Sequence, residues 1–519
     1  MRFTTLSFLI FFITFYLIYW KTRGRARLGL IVLGSVLFYA AWSVSFALHF
    51  VAIVVLNFFL IRRLLQRPSR ALFLLILGLD FGNLFLFKYF YLFLRALRDS
   101  LLGLDSALGG PLGLAQSGLA FFLPEQFNPW LESWSGATSI ILPLAISFYT
   151  FQLVAYAADV YRGEIKEKDG FLEFTTFILF FPQLVAGPIM RRSDFLYQLR
   201  DIRPDENKTQ SGMTLLLLGV LKKVIIADNI HAVIHPVFQN PQNYDWTTNL
   251  MAAIGFTARV YCGFSGYTDI ARGLGKLLGL ELPENFRAPY LSRSFRETWN
   301  RWHITLSTWI RDYLYIPLGG SRRGPIRNFL NIVVSFTLAG LWHGANYTFL
   351  VWGFLHGLLL ALEREARRLR ERAAPRLARR GGIFQALFGA LPSGSAWATL
   401  RSLPAFAFVF SAWTILALIF NAPDIERAWI MLGSIFTGAE SAVLRSEEEA
   451  RLIARNNMYL FWMFVLALFF NFLQTWKKRP FDSWKPAARY AAIGLGTILL
   501  MFLLGRYSPQ GVDFIYFQF

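Results

Sequence analysis

Apolar segments of about 18 to 25 residues, separated by short polar loops, recur along most of the sequence. A segment of that length crosses a bilayer as an α-helix, because backbone N–H and C=O groups in lipid must be satisfied within the segment itself. Only 16% of the 519 residues are charged, against roughly 25% in soluble proteins. The sequence therefore predicts an all-α polytopic membrane protein.

Basic residues set the predicted orientation, because short cytoplasmic loops carry an excess of Lys and Arg. This rule also accounts for the formal charge of +20, so no nucleic-acid partner is inferred. Phe3 to Trp20 lacks a small-residue cleavage site and is followed by Lys21, Arg23 and Arg25, which predicts a retained first span that starts outside. The predicted spans cover about residues 3–20, 28–42, 46–61, 71–94, 140–160, 329–341, 347–362, 404–420, 458–476 and 488–504.

The stretch from 162 to 328 has a different pattern. Its apolar runs, such as 171–190 and 214–226, are short and interrupted by Pro, Gly and charge. Broken helices at membrane depth occur only where protein or a watery cavity surrounds them. We therefore expect half-spanning or in-plane helices around a funnel that opens to the cytoplasm. An arginine-rich segment at 363–380 is predicted to lie as an amphipathic helix on anionic lipid.

Three segments are predicted to lie on the extracytoplasmic side of the membrane. The loop at 98–139 has few basic residues, and the loop at 421–457 has mixed charge. The C-terminal tail at 508–519 follows a predicted outward span. The single cysteine, Cys262, excludes an internal disulfide and is interpreted as a small core residue.

A polar island runs from Asn300 to Gly344 between these apolar segments. It contains two Trp-His pairs, which place His303 and His343 at membrane depth, where polar groups are costly and usually functional. Histidine has an ordinary pKa suited to taking a proton from an attacking hydroxyl near neutral pH. The island is predicted to be an acyl-transfer site, and buried histidines that join helices by hydrogen bonds are the alternative.

Other polar residues are weaker candidates. Asn346, Asn300 and Asp312 are predicted to support the two histidines. A pair at helical spacing, His231 and His235, resembles half of a metal site but has no third ligand nearby, so no metal is predicted. The remaining two histidines are interpreted as packing or interfacial residues. They are His49 and His356.

Six motifs between about residues 140 and 360 resemble, in order and spacing, those of the membrane-bound O-acyltransferase family. Within that family they are most similar to the membrane subunits of the bacterial alginate O-acetyltransferases. The motifs lie at 147–163 (SFYTFQ to DVYRG), 180–189 (FFPQLVAGPI), 221–229 (LKKVIIADN), 264–286 (FSGYTDIARGLGKLLGL to PENF), 301–320 (RWHITLSTWIRDYLYIPLGG) and 340–353 (GLWHGANYTFLVWG).

The resemblance implies a single membrane acyltransferase domain over 1–519. It has N-terminal spans at 1–139, a catalytic core at 140–360 and C-terminal spans with an outer tail at 361–519. Its fold would be a ring of tilted spanning helices around a central funnel of short re-entrant and in-plane helices. His343 would be catalytic and His303 would assist it.

The resemblance also implies the substrates and the location. An acetyl group from acetyl-CoA, used as a substrate and not as a bound cofactor, would cross the bacterial inner membrane for O-acetylation of a cell-surface or exported polysaccharide. An extracytoplasmic partner similar to SGNH hydrolases would receive it and hold the polysaccharide. Phe514, Tyr516 and Phe519 match a tail whose tyrosine is a proposed acyl carrier. Anchoring of this aromatic tail at the membrane interface is the alternative.

The donor carries phosphates, so we expect its entrance to be basic. The positive-inside rule alone is an equal explanation for any one arginine of the island. Two other functions stay open: D-alanyl or another acyl transfer to a cell-wall polymer, and transport through an intramembrane polar path. The arginines predicted to bind the donor are Arg296, Arg301, Arg311, Arg322 and Arg323.

Overall fold

A computed structural model describes residues 3, 5–94, 96, 97, 100, 142–378, 396–443 and 446–475. All but one residue of the predicted loop at 98–139, the predicted span at 488–504 and the tail with Tyr516 lie outside this part of the chain. The described residues form helices and no β-sheet, with one isolated bridge between Phe286 and Trp302.

The helices before the polar island are numbered in chain order. They are α1 (Leu6–Lys21), α2 (Gly24–Ala40), α3 (Val44–Gln66), α4 (Arg70–Leu84), α5 (Ile146–Tyr161), α6 (Phe171–Leu179), α7 (Phe181–Leu184), α8 (Arg192–Phe195), α9 (Glu206–Val220), α10 (Asn229–Gln239) and α11 (Trp246–Leu277).

The helices of the island and beyond complete the described fold. They are α12 (Phe295–Arg301), α13 (Ile304–Ile310), α14 (Gly324–His343), α15 (Tyr347–Ala378), α16 (Ala396–Asn421), α17 (Ile425–Thr437) and α18 (Glu447–Leu473). Three π-helical segments extend α4, join α9 to α10 and extend α13. They are Phe85–Tyr89, Leu221–Asp228 and Arg311–Tyr315.

In the described part of the chain, four helices are long and apolar enough to cross a membrane. They correspond to the predicted spans at 46–61, 71–94, 404–420 and 458–476, and leucine and phenylalanine side chains on their outer faces are exposed. Such exposure is stable only in lipid when it is this extensive. The prediction of an all-α polytopic membrane protein is confirmed. The four helices are Val44–Gln66, Arg70–Leu94, Leu403–Asn421 and Glu447–Leu473.

The prediction of short helices between 162 and 328 is confirmed in one part and wrong in another. The chain breaks at Phe180 between α6 and α7, as expected. In contrast, α9, its π-helical extension and α10 form one continuous rod, and α11 is a single helix of 32 residues. The polar residues of α11 do not interrupt the helix, although the sequence pattern suggested that they would. They are tolerated because other helices, and not lipid, surround α11 on nearly every side.

Two pairs of glycines bring α9 and α11 into close contact. A Cβ atom on Gly219 would lie 2.6 Å from the carbonyl oxygen of Gly266, and one on Gly273 would lie 2.7 Å from that of Gly212. Membrane helices associate through small residues, because lipid gives no hydrophobic force between them and close backbone packing replaces it. These glycines therefore hold α11 in the centre of the fold.

A buried ion pair also joins this rod to α11. Lys222 Nζ lies 2.5 Å from Asp269 Oδ2 and 2.8 Å from Ser265 Oγ. On the next residue of the π-helical segment, Lys223 is paired with Asp228. Buried charges at this depth are tolerated only when they are paired. The Lys222 pair therefore fixes the rod against the central helix, whereas the Lys223 pair lies within the rod itself.

The two ends of the helices form two faces that differ in charge. The basic face is the end of the fold where Arg162, Arg191 and Arg311 contact Asp312, with Arg200 paired to Glu167 nearby. The other, which we name the opposite face, contains three connections. They are the α14–α15 turn at 344–346, the α10–α11 loop at 240–245 and the α16–α17 junction at 422–424.

The hairpin of α14 and α15 connects the two faces. It rises from the basic face, turns after His343 and returns along α15 to the basic face. The segment at 363–380, predicted to be an amphipathic helix on anionic lipid, is helical up to Ala378 as the continuation of the predicted span before it, because α15 runs without a break from Tyr347. Its contact with lipid stays a prediction. The arginine-rich end of α15 turns one side toward the interior, where it lines a cavity described below.

Replacing Gly266 by Ala is expected to destabilise the protein by about 1 to 3 kcal/mol, because the new methyl group overlaps the Gly219 carbonyl. Gly263→Ala is the matched control on the same helix, since its Cβ would meet Ala227 Cβ at an ordinary 3.4 Å. Melting temperatures of the purified proteins in detergent provide the measurement. Equal melting temperatures for the two variants would contradict the close contact.

Candidate functional site

His343 is the last residue of α14 and is buried, at 4% exposure. Its ring packs edge-on against Trp352 at 5.0 Å and against Phe420 at 5.1 Å between ring centroids. A helix leaves its last carbonyl groups without intrahelical partners. Here Lys88 Nζ donates to two of them, the carbonyl oxygens of Trp342 at 2.6 Å and of His343 at 3.2 Å.

Lys88 therefore fixes the end of α14 from a distant part of the chain. It lies on the π-helical segment after α4, and the neighbouring Tyr89 hydroxyl donates to the carbonyl of Leu341 at 2.9 Å. A cation at a helix C-terminus is also favoured by the helix dipole. Together these contacts hold the backbone that carries His343.

His303 lies in a strained backbone conformation just before α13. Its φ of 43° is in the left-handed region, which is rare for a residue other than Gly, Asn or Asp. Its Nδ1 accepts a hydrogen bond of 3.3 Å from the backbone N–H of Leu306, so the neutral ring carries its proton on Nε2. Nε2 is buried and has no hydrogen-bond partner in the described part of the chain, which leaves a donor available to a ligand.

A hydrogen-bonded loop imposes this conformation. Asn285 Oδ1 accepts from the backbone N–H of Thr305 at 3.1 Å and from its hydroxyl at 2.7 Å, and the Asn285 carbonyl accepts from Ile304 N–H at 3.0 Å. The Thr305 hydroxyl in turn accepts from the backbone N–H of Ile189 at 3.0 Å. Three sequence motifs, those at 180–189, 264–286 and 301–320, therefore meet at His303. Their shared role is to keep His303 in the left-handed backbone conformation, which this residue type does not favour.

The indole of Trp342 connects the two histidines. Its ring centroid lies 5.9 Å from that of His303 and 4.9 Å from that of His343. Phe151 stacks on the same indole at 5.5 Å and on Trp309 at 3.8 Å. The predicted pairing of His303 and His343 in one buried region is thus a feature of the structure, although their chemical roles stay a prediction.

A third histidine lies in the same aromatic region. His356, interpreted from the sequence as a packing or interfacial residue, is 1% exposed, and both of its ring nitrogens lack hydrogen-bond partners among the described residues. It is surrounded by the rings of Trp299, Trp352 and Trp413 at 4.6 to 5.2 Å. This burial among tryptophan rings fits the packing role predicted from the sequence. Because an unsatisfied buried polar group costs about 1 to 3 kcal/mol, its ring nitrogens also offer hydrogen bonds to a ligand.

A basic cavity of about 640 Å³ opens on the basic face below these rings. Its inner end is formed by Trp299 and Ser335, whose indole N–H and hydroxyl are buried and have no hydrogen-bond partner in the described residues. Trp299 contacts Trp352 at 5.9 Å, and Trp352 contacts His343. One layer of tryptophan therefore separates the end of the basic cavity from His343.

The cavity wall includes some of the arginines predicted to bind the donor. Arg296 and Arg311 line it, together with Asn300, whereas Arg301 is paired with Glu297 at 2.8 Å outside the lining. Arg322 and Arg323 are exposed on the basic face and do not line this cavity. Of the five arginines predicted to bind the donor, two line the cavity and three do not.

The arginine-rich end of α15 supplies charges that the sequence analysis placed on lipid. Arg364 donates to Asn328 Oδ1 at 2.7 Å and to the Tyr315 hydroxyl at 3.1 Å, so its hydrogen-bond partners among the described residues are neutral. Arg367 is paired with Glu363 at 2.7 Å. The residues of α15 that line the cavity recur every three or four positions, so they share one side of the helix. That spacing is visible in the sequence and could have indicated a side that faces the protein.

Asp312 belongs to the rim of the basic face. Its carboxylate lies 2.7 Å from Arg191 Nη2 and 2.6 Å from Arg311 Nε. Burial alone would raise the pKa of Asp312, but the hydrogen bonds from Arg311 and Arg191 hold it below its ordinary value. The side chain is therefore an ionised partner of arginines, which is an arrangement that orders the rim.

A second cavity, of about 470 Å³, lies on the opposite face, and we name it the outer cavity. Asn346 lines it, but the Asn346 side chain bridges Pro423 carbonyl, at 2.8 Å, and the backbone N–H of Thr348, at 3.3 Å. His231 and His235 also line it, with their ring centroids 5.2 Å apart. Within the described ranges no group of three His, Cys, Asp or Glu side chains is placed to hold a metal ion.

Comparison with known proteins shows which sequences the chain resembles. The model of the membrane-bound O-acyltransferase family matches residues 164–389. A Pseudomonas aeruginosa protein named as a probable alginate O-acetylase is 35% identical over 446 residues, which cover 84% of this chain and 75% of that protein.

Two further relatives have names that refer to cell-wall polymers. The peptidoglycan O-acetyltransferase of Helicobacter pylori is 30% identical over 534 residues, covering 94% of this chain and 91% of its own length. The teichoic acid D-alanyltransferase of Bacillus subtilis is 29% identical over 232 residues, covering 43% of this chain and 59% of its own.

Lys88→Met is expected to lower the melting temperature, because it leaves the carbonyl groups of Trp342 and His343 without their donor at a cost of about 1 to 3 kcal/mol. The exposed Lys166→Met serves as the control for loss of a surface lysine. The measurement is thermal unfolding of the purified proteins in one detergent. A Lys88→Met protein as stable as the control would show that these contacts do not hold α14.

Proposed function

Because the chain belongs to the membrane-bound O-acyltransferase family, we propose that it passes an acetyl group across the bacterial inner membrane. The donor is acetyl-CoA on the cytoplasmic side, and the product is an O-acetylated cell-surface or exported polysaccharide. The family assignment sets aside the transporter that the sequence left open, since members of this family are acyltransferases.

One observation carries the proposal. His343 lies between two cavities that open on different faces, with the basic cavity on one side and the turn that lines the outer cavity directly after it. An enzyme that moves an acyl group across a membrane needs access to one reactive centre from both sides. The positive-inside rule assigns the basic face to the cytoplasm, which is where acetyl-CoA is made available.

The charge and the size of the basic cavity suit a phosphorylated donor. Binding sites for small molecules and cofactors have volumes of roughly 300 to 1,000 Å³, and this one has about 640 Å³. Arginine binds phosphate through a planar fork of donors. Arg364, whose hydrogen-bond partners among the described residues are neutral, and Arg296 are the side chains proposed to bind the phosphates of the donor.

The buried histidines supply the proposed chemistry. The acceptor hydroxyl oxygen attacks the thioester carbonyl carbon while its proton passes to His343. The Nε2–H of His303 donates to the carbonyl oxygen, on which negative charge develops. As the C–S bond breaks, the proton on His343 passes to the leaving thiolate, so coenzyme A is released as the thiol and the histidine is neutral again.

The acceptor side involves partners beyond this chain. We expect an extracytoplasmic acetyltransferase similar to SGNH hydrolases to take the acetyl group and to hold the polysaccharide. Tyr516 stays a proposed intermediate carrier, and it lies outside the described residues. D-alanyl transfer from a carrier protein is the alternative that one relative's name suggests, and a concave basic cavity favours the smaller donor.

His343→Ala is expected to abolish turnover of acetyl-CoA, because the base for the attacking hydroxyl is lost. General base catalysis contributes about 10²- to 10⁴-fold to the rate. The measurement is release of coenzyme A by the purified protein in lipid nanodiscs. His49→Gln is the matched control, since His49 bonds Asn83 at 3.1 Å away from the site. Equal turnover by His343→Ala and wild type would reject His343 as the base.

Arg364→Gln is expected to raise the KM for acetyl-CoA roughly tenfold or more and to change kcat less, because a charge-assisted bond to phosphate is worth about 1.5 to 3 kcal/mol. Arg370→Gln removes an exposed arginine of the same helix that lies outside the cavity lining. Steady-state kinetics of both variants test the donor site. An unchanged KM for Arg364→Gln would place the donor elsewhere.

A further inference from the structure

A recess lies between α3, α5 and α6 at the basic face, and we name it the lateral recess. Two cations from distant parts of the chain line it, Arg62 near the end of α3 and Lys168 in the loop before α6. Neither side chain has a hydrogen bond or an ion pair among the described residues. The Arg62 guanidinium lies 5.8 Å from the ring centroid of Phe58, which holds it beside the recess.

An acidic side chain also lines the recess, but its carboxylate is already bound. Asp169 accepts hydrogen bonds from Arg192, at 2.6 Å from Nε and 2.8 Å from Nη2, and from the Tyr156 hydroxyl. The neighbouring Glu167 lies outside the lining and faces Arg192 as well, at 3.5 Å. These contacts leave the two cations of the recess available to an anion from outside the chain.

Apolar side chains form the rest of the lining and continue toward the lipid. Phe58 and Ile61 of α3 and Phe174 of α6 lie beside the two cations. The ring of Phe171 packs against that of Phe58 at 5.1 Å and is 45% exposed. Helix α3 is long and apolar enough to span a membrane, so its outer side meets acyl chains. The recess therefore lies where lipid chains give way to headgroups.

We infer that the lateral recess binds an anionic phospholipid of the cytoplasmic leaflet, with its phosphate between Arg62 and Lys168. Arginine binds a phosphate through its planar fork of donors, and lysine adds a compact charge. The positive-inside rule places the basic face at the cytoplasmic leaflet, whose anionic lipids attract basic residues. The acyl chains of the lipid lie along Phe171 and the outer side of α3, a contact that a soluble phosphate cannot make.

The positive-inside rule alone does not account for this arrangement. That rule concerns the number of charges near the ends of spans and not the direction in which each side chain points. Arg63 and Lys166 satisfy it as well as Arg62 and Lys168 do, and both are exposed outside the lining of the recess. The convergence of the other two cations on one recess is a property of the tertiary structure, and Arg63 and Lys166 are its matched controls.

The lateral recess is separate from the basic cavity, because the two have no described lining residue in common. The phosphates of the acyl donor are therefore not the anion expected here. Binding of a lipid at this place is independent of which acyl group the protein transfers and of which acceptor receives it.

Lipid binding to the purified full-length protein in detergent tests the inference. The probes are phosphatidylglycerol, phosphatidylcholine with the same acyl chains, and inorganic phosphate as the soluble anion. Native mass spectrometry gives the Kd of the first bound lipid. We expect phosphatidylglycerol to bind about tenfold or more tightly than phosphatidylcholine, whose choline group neutralises its phosphate. Displacement of phosphatidylglycerol by an equal concentration of inorganic phosphate would overturn the assignment to a lipid.

Two double variants provide the second arm. Arg62→Gln with Lys168→Gln should abolish the preference for phosphatidylglycerol. Arg63→Gln with Lys166→Gln removes the same charge from the same two segments and should keep the preference. An equal loss in both double variants would show that net charge, and not the recess, attracts the lipid. An unchanged preference in the first double variant would place the lipid elsewhere.

Melting temperatures of the same proteins check that the variants are folded. Because Arg62 and Lys168 have no hydrogen bond or ion pair to lose among the described residues, their double variant is expected to melt like the control pair without added lipid. A ligand that binds the folded state raises the melting temperature. Phosphatidylglycerol should therefore stabilise the wild type and the control pair more than the recess variant, and equal stabilisation of all three would contradict the inference. If the double variant does not fold, Lys168→Gln alone is compared with Lys166→Gln in the same way.

Discussion

The whole structure depends on the cost of leaving polar groups without partners at the depth of a bilayer. The buried charges that join α11 to the adjoining rod are paired, as Lys222 is with Asp269. That arrangement lets a polar helix occupy the centre, because protein surrounds it. The apolar helices, such as α3 and α18, then form the surface that meets lipid.

Against this background, some of the buried polar groups without hydrogen-bond partners among the described residues line the two cavities, where a ligand could bind them. Ser335 and Trp299 lie at the inner end of the basic cavity, and Thr348 and His231 lie in the outer cavity. The His303 Nε2–H lies between them in the aromatic region. The groups therefore follow a path from one face to the other that passes the end of α14.

The π-helical segments have a related role. A π-helical turn adds a residue to a helix and is common at functional sites. The segment after α4 carries Lys88, which holds the backbone of His343, and the segment between α9 and α10 carries Lys222. The segment after α13 carries Arg311, at the rim of the basic cavity. In each segment the added residue changes the direction in which a charged side chain points from the helix.

Sequence alone determined the helical membrane fold, the family and the polar island with His303 and His343, because apolar length and ordered motifs are local properties of the chain. It did not determine that α11 is central, that Arg364 faces the basic cavity, or that Arg259 lines the outer cavity. Lys88 contacts a carbonyl 254 positions away in sequence. Only the tertiary structure decided these features, since burial and pairing depend on which distant segments pack together.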